Sequence, residues 1–135
     1  MGDGEQAEGS IWEAVANARH YELGNLVAIV DYNGLESDGT IDEITGLGNI
    51  ADKYRAFDWN VIEIDGNSVE QIKNAFDKLP EADSKVPTCI IAHTIKGKGV
   101  SFMENNVRWH AGKITDEQLE DAIKEIRESY ERKWS

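Results

Sequence analysis

The run Leu26-Val27-Ala28-Ile29-Val30 is apolar without a break, and it narrows the choice of fold more than any other stretch of the chain. A strand with one wet face alternates apolar and polar side chains, whereas an unbroken run suits a strand covered on both faces. Such strands belong to parallel sheets, whose crossover connections place helices on either side. Gly24-Asn25 precedes the run and closes a helical stretch in which Ile11, Ala14, Val15 and Ala18 fall on one face. That pattern predicts a helix over about residues 8–23, with Ser10 and Glu13 spaced as a capping box.

The same alternation continues downstream. Residues 33–40 read as a polar, glycine-containing loop, and Ile50, Tyr54 and Phe57 mark a second, shorter helix. Residues 59–65 (Trp59 to Asp65) read as a strand, and Gly66-Asn67 turns the chain into a third helix. Ser68 and Gln71 are spaced to cap that helix; Val69, Ile72, Ala75, Phe76 and Leu79 form its apolar face, and Pro80 ends it. After a polar connector at 81–87, residues 88–94 give a third strand. A last helix opens at Thr115, with Gln118 as its capping partner. It runs to about Lys133 with Leu119, Ala122, Ile123, Ile126 and Tyr130 on one face. The sequence thus predicts an α/β fold: a parallel sheet of at least three strands with flanking helices.

Composition sets limits on function. The 135 residues, 40% of them hydrophobic, suffice for one core, and no apolar run approaches the ~20 residues of a membrane span. Nothing resembles a signal peptide, so a soluble, cytoplasmic protein is expected. A net charge of −12 disfavours nucleic acid and anionic membranes as partners. An anionic cofactor would need a metal ion and local donors. Cys89, the single cysteine, lies in an apolar strand and reads as a buried, inert thiol.

In open α/β sheets ligands bind beyond the carboxyl ends of the strands, and three polar groups fall at such ends. These are Asp31-Tyr32-Asn33-Gly34-Leu35, Asp65-Gly66-Asn67, and the stretch from His93 to Gly99. Gly2-Asp3-Gly4 supplies a hard oxygen ligand between two glycines that admit a phosphate, and Asn33 adds an amide oxygen 30 positions after Asp3. That interval is about one helix plus one strand, so both oxygens can face one cation. Each feature also has an ordinary reading. Gly-Asp-Gly is a common turn, Lys96 suits a solvated loop, and His110 beyond Trp109 suits the surface as well as a donor to an anion. His93 reads as a core histidine, and His20 as a partner of its helix C-terminus. With only Met1 before Gly2, Asp3 is expected on a frayed terminus and the chain to start inside a domain.

Taken together, these residues resemble transketolase. The resemblance rests on Gly2-Asp3-Gly4-Glu5 followed by Asn33, on Gly-Glu-Gln-Ala-Glu-Gly at 4–9, on 57–66, and on Lys96-Gly97-Lys98-Gly99-Val100 with Trp109-His110 beyond. It covers nearly the whole chain and corresponds to the second half of the pyrophosphate-binding domain, as in the N-terminal subunit of split transketolases. The resemblance implies a partial thiamine diphosphate-binding fold over 1–135. In it Asp3, Asn33 and the Leu35 carbonyl hold Mg²⁺ or Ca²⁺, and Gly4 brings its backbone to the diphosphate. Lys96 and His110 lie near the cofactor, His110 also facing substrate as a catalytic residue, and Glu8 lies near the dimer interface. Gly66-Asn67 departs from a frequent Gly-His.

The implied activity is transfer of a two-carbon ketol unit from a ketose phosphate to an aldose phosphate, as in the pentose phosphate pathway. The cofactor supplies the bond-making chemistry. Sugar phosphates, a pyrimidine-binding domain or C-terminal transketolase subunit, and an oligomeric assembly are the implied partners. The domain's first half and the pyrimidine-binding domain are absent from this sequence, so no turnover is expected from the chain alone. Two other readings stand beside this one: a fragment of 1-deoxyxylulose-5-phosphate synthase or of a 2-oxoacid dehydrogenase subunit, and a non-catalytic, truncated α/β module. Lys96 with Trp109-His110 favours transketolase over the other enzymes.

Overall fold

A computed structural model describes residues 1–81 and 83–134, and of residues 132–134 the backbone alone. Ala82, within the predicted connector, lies outside the described residues. Three parallel strands, β1 (Val27–Tyr32), β2 (Asn60–Asp65) and β3 (Thr88–His93), form a sheet in the order β1-β3-β2. Val27 and Asn60 both register with Thr88, so the last strand in sequence is the central one. Residues 88–92 are accordingly buried, while β1 and β2 are only partly covered.

One face of the sheet carries the core. Val30, Cys89 and Ile91 pack with Val15 and Ala18 of α1 (Gly9–His20) and with Ile50, Ala51 and Tyr54 of α3 (Ile50–Ala56). Trp59 closes this layer: its ring meets Tyr54 edge-on at 5.4 Å, and its Nε1 donates to the Val15 carbonyl at 3.0 Å. Outside this cluster, α4 (Val69–Asp77) packs on β2 and buries Ala75, and α5 (Asp116–Trp134) buries Ala122. A short α2 (Ile41–Ile44) stands between β1 and α3. No described helix is long and apolar enough to cross a membrane.

Several boundaries differ from the sequence expectation. Residues 4–7 form a 3₁₀ turn, so α1 starts at Gly9, and Glu8 makes no side-chain cap. Ser10 sits inside the helix, not at its start. α2 was not foreseen, although Thr40 and Glu43 make a reciprocal capping box at its start. At α4, Ser68 accepts from the Gln71 amide, but the Gln71 side chain accepts from the Asp65 amide and leaves the box half made. Val69 is 80% exposed and Phe76 is exposed as well, so neither belongs to the buried face. Thr115 and Gln118 do form the expected reciprocal cap of α5. On α5, Leu119, Ile123, Ile126 and Tyr130 are exposed in this chain, and Ala122 alone of the predicted face is buried.

Two further corrections concern the ends of strands. His93 is exposed, its Nε2 lying 3.2 Å from Glu63 and its ring against Tyr32, because it is the last residue of β3 and clears the helical layer. Asp3 is not frayed. Its amide donates to the Asp31 carbonyl at 3.1 Å and the Asp31 amide donates to Met1, so Gly2 bridges in parallel to the edge of β1.

Candidate functional site

The loops leaving β1 and β3 meet because those strands are neighbours in the sheet. Between them, and against the turn at 2–5, lies a cleft of about 470 Å³. Asp3, Gly4, Glu8, Asn33, Leu35, Lys96 and His110 all line it, so every residue singled out from the sequence for the metal, the cofactor or the partner reaches one place. Asp65, Asn67 and His93 do not. They line a separate cleft of about 490 Å³ at the ends of β2 and β3, where Asn67 and Gln71 are spent on backbone amides.

Asp3 is the centre of the first cleft. It is 2% exposed, its Oδ1 accepting from the Gly4 amide at 2.9 Å and its Oδ2 from the Gly34 amide at 2.6 Å. Gly34 can aim its N–H in this way because it adopts φ +74°, a conformation that costs glycine little. Next to it, Asn33 Oδ1 accepts from the Leu35 amide at 3.0 Å, which fixes the turn. Burial raises the Asp3 carboxyl above its ordinary range; the Gly34, Gly4 and Asn33 amides oppose the rise, and neighbouring Asp31 adds to it.

The charge around the cleft is unbalanced. Asp3, Glu5, Glu8, Asp31 and Glu36 face Lys96 and His110. Among the described residues no cation pairs with Asp3, and a buried carboxylate without one is costly. The donors at hand are a carboxylate, an amide oxygen and a backbone carbonyl, which suit a hard cation, with remaining positions open to phosphate and water. No set of three or more His, Cys, Asp or Glu side chains forms a metal site by itself among the described residues. The carboxylate, amide oxygen and carbonyl fit a metal–diphosphate group, with oxygens of the diphosphate available for the remaining positions.

Other parts of the lining were not legible beforehand. The Glu36 side chain folds over Gly4, its Cγ 3.1 Å from where a Cβ at residue 4 would stand, and Thr45 Oγ1 holds its Oε1 at 2.9 Å. Lys96 leads into a turn in which Gly97 has φ +74° and lies so close to Met103 that an added Cβ would sit 2.6 Å from its carbonyl oxygen. The following 3₁₀ turn, Val107–His110, is held by Asn106 accepting from the Arg108 amide and by Trp109 Nε1 donating to the Phe102 carbonyl at 2.9 Å. That contact delivers His110 to the cleft.

The sequence pattern of the family described as transketolase, thiamine diphosphate binding domain, matches residues 1–133, and the chain belongs to this family. Its relatives include proteins divided into subunits. The chain is 46% identical over 132 residues to one of the subunits of apulose-4-phosphate transketolase from Phocaeicola vulgatus, covering 98% of this chain and 47% of that protein. It is 42% identical over 126 residues to the 6-deoxy-6-sulfo-D-fructose transketolase subunit SqwG of Clostridium sp., covering 93% of this chain and 46% of that protein. Among solved structures, the transketolase of Campylobacter jejuni superposes with a TM-score of 0.84 at 27% identity, over 93% of this chain and 19% of that one. The chain thus spans about half the length of the subunit relatives it matches.

Proposed function

We propose that this chain supplies the metal–diphosphate half of a transketolase site, in an enzyme that moves a two-carbon ketol unit from a ketose phosphate to an aldose phosphate. The observation that carries this reading is the convergence of Asp3, Gly4, Asn33, Leu35, Lys96 and His110 on one cleft beyond the ends of β1 and β3. Asp3, Asn33 and the Leu35 carbonyl hold Mg²⁺, or Ca²⁺ in its place. Gly4 gives the diphosphate close access to the backbone, and Lys96 adds a positive charge. When bound, thiamine diphosphate supplies the carbon nucleophile for ketol transfer. The chain's own groups bind and orient it, while His110 donates a hydrogen bond to the sugar phosphate at the open side of the cleft.

The likeness to subunits of divided transketolases supports a partner that completes the site: a pyrimidine-binding domain or C-terminal subunit, within an oligomer. Glu8, exposed at the rim of the cleft, faces that partner. By itself the chain binds but does not turn over substrate.

The test is a calorimetric titration of thiamine diphosphate into the chain with and without Mg²⁺, using Asp3→Ala as the control. Metal-dependent binding that the substitution abolishes is the expected result. A folded chain that, combined with the segments its longer relatives carry outside the match, loads with cofactor and still yields no ketol product in a coupled assay would overturn the proposal. Product analysis in the same assay separates ketol transfer from decarboxylating chemistry.

A further inference from the structure

We propose that Gln6 and Tyr54 form a buried clamp that positions the Gly2-Asp3-Gly4 turn, and that the pair sets the metal affinity of the site without touching the metal. The inference rests on the cofactor reading above for its consequence, but its geometry stands apart from it. Gln6 is an uncharged amide with 0% exposure, one residue beyond a turn that faces solvent at Glu5. A polar side chain so placed is retained only with its hydrogen bonds made. Its Oε1 accepts from the Tyr54 hydroxyl at 2.9 Å, and its Nε2 donates to the Gly2 carbonyl at 3.4 Å.

The main chain of the same residue completes the clamp. Gln6 N–H donates to the Asp3 carbonyl at 3.0 Å, and the Gln6 carbonyl accepts from Trp12 Nε1 at 2.8 Å. Gln6 thus holds the carbonyls of both Gly2 and Asp3, the two peptide groups that determine where the Asp3 carboxylate points. Tyr54, 48 positions away on α3 and also 0% exposed, is held between the Trp12 and Trp59 rings at 5.5 and 5.4 Å. Neither partner can move without leaving a buried polar group unpaired, so the turn inherits the rigidity of the aromatic core. Supporting groups one step removed from a metal commonly govern its affinity in this manner.

The experiment compares the full chain with Tyr54→Phe, Gln6→Met and the double variant. Amide exchange and resonance positions are read by NMR without ligand, and Mg²⁺ is then titrated at saturating thiamine diphosphate. Each single variant is expected to shift the Gly4 and Gly34 amides and to lose more exchange protection at Gly34 than at Ile90 or Ile91 in β3. The double variant adds little to the larger single effect, because the two side chains act as one unit. The Mg²⁺ midpoint is expected to rise roughly ten- to hundredfold. Unchanged Gly4 and Gly34 amides, with protection lost evenly across the sheet, would overturn the clamp and leave an ordinary core pair. Should Gln6→Met fail to fold, Tyr54→Phe decides alone. Should the unaltered chain take up no metal, the cofactor reading fails, and the ligand-free amides still decide the clamp.

Discussion

Asp3 Oδ2 accepts a 2.6 Å hydrogen bond from the amide of Gly34, joining two turns 31 residues apart across the edge of the sheet. The contact brings a buried carboxylate beside Asn33 and aligns the oxygens of both segments on one cleft. It also concentrates negative charge where no described cation pairs with Asp3, so the pH response of the chain should report on Asp3.

Burial raises the Asp3 carboxyl above its ordinary range, so the folded chain keeps that proton longer than the unfolded chain does. Its contribution to stability is therefore greatest at low pH and declines as pH rises from the ordinary carboxylate value through the raised one. Urea unfolding between about pH 4 and pH 7 should show the stability difference between the unaltered chain and Asp3→Asn narrowing as pH rises. Glu22, Glu43 and Glu63, whose carboxyls are lowered by their partners, titrate alike in both and cancel. Mg²⁺ with thiamine diphosphate should reverse the trend for the unaltered chain alone.

Lys96 is half-exposed and carries charge without supporting the core. Lys96→Ala should leave the unfolding midpoint almost unchanged, and weaken diphosphate binding by about tenfold, with a shallower dependence on salt. His110→Ala, exposed in the chain alone, should spare cofactor affinity and lower turnover in the completed assembly.

Glu36 sits over Gly4, with Thr45 holding its carboxylate at 2.9 Å. With the diphosphate placed against Gly4 as proposed, this carboxylate opposes the incoming anion until a cation is present. Glu36→Gln keeps the side chain's length and an acceptor for Thr45 while removing the charge. Calorimetry at limiting Mg²⁺ should show tighter diphosphate binding for this variant, by about three- to tenfold, with the difference shrinking at saturating metal.

Gly97 tests the loop that delivers Lys96. A Cβ there would meet the Met103 carbonyl at 2.6 Å in a left-handed backbone, so Gly97→Ala should cost roughly 1–3 kcal/mol in denaturant unfolding. The variant should also bind thiamine diphosphate less well, because relief of the clash moves Lys96.

Much of this arrangement could be read in the sequence. The apolar runs announced a parallel sheet, and β3 is the covered strand they implied, whereas β1, read from Leu26 to Val30 as covered on both faces, lies at the sheet edge with Leu26 and Ile29 exposed; the interval from Asp3 to Asn33 announced one crossover. Local patterning fell short where a contact depended on distant chain. Val69 has an apolar side chain at a helical spacing, yet it occupies the first turn of α4, where no described element covers it. His93 occupies a strand that is buried for its other five residues, and it emerges only because β3 ends there. The pairing of residues 1–3 with β1 was hidden because so short a stretch has no periodicity, and its partners are backbone groups. Gln6 carried no signal at all: a glutamine beside glutamate and alanine reads as solvated until Tyr54 is seen above it.

The order β1-β3-β2 has a kinetic consequence. The cleft draws on residues near positions 3, 35, 96 and 110; the first two are joined along the edge of β1, and Lys96 and His110 reach them only once β3 lies between β1 and β2. Placing the central strand closes a connection of 55 residues from β1 (33–87) and one of 22 from β2 (66–87), and because long closures are slow the complete cleft is expected to form late in folding. A ligand that needs both loops therefore reports on chains in which β3 has reached its central place.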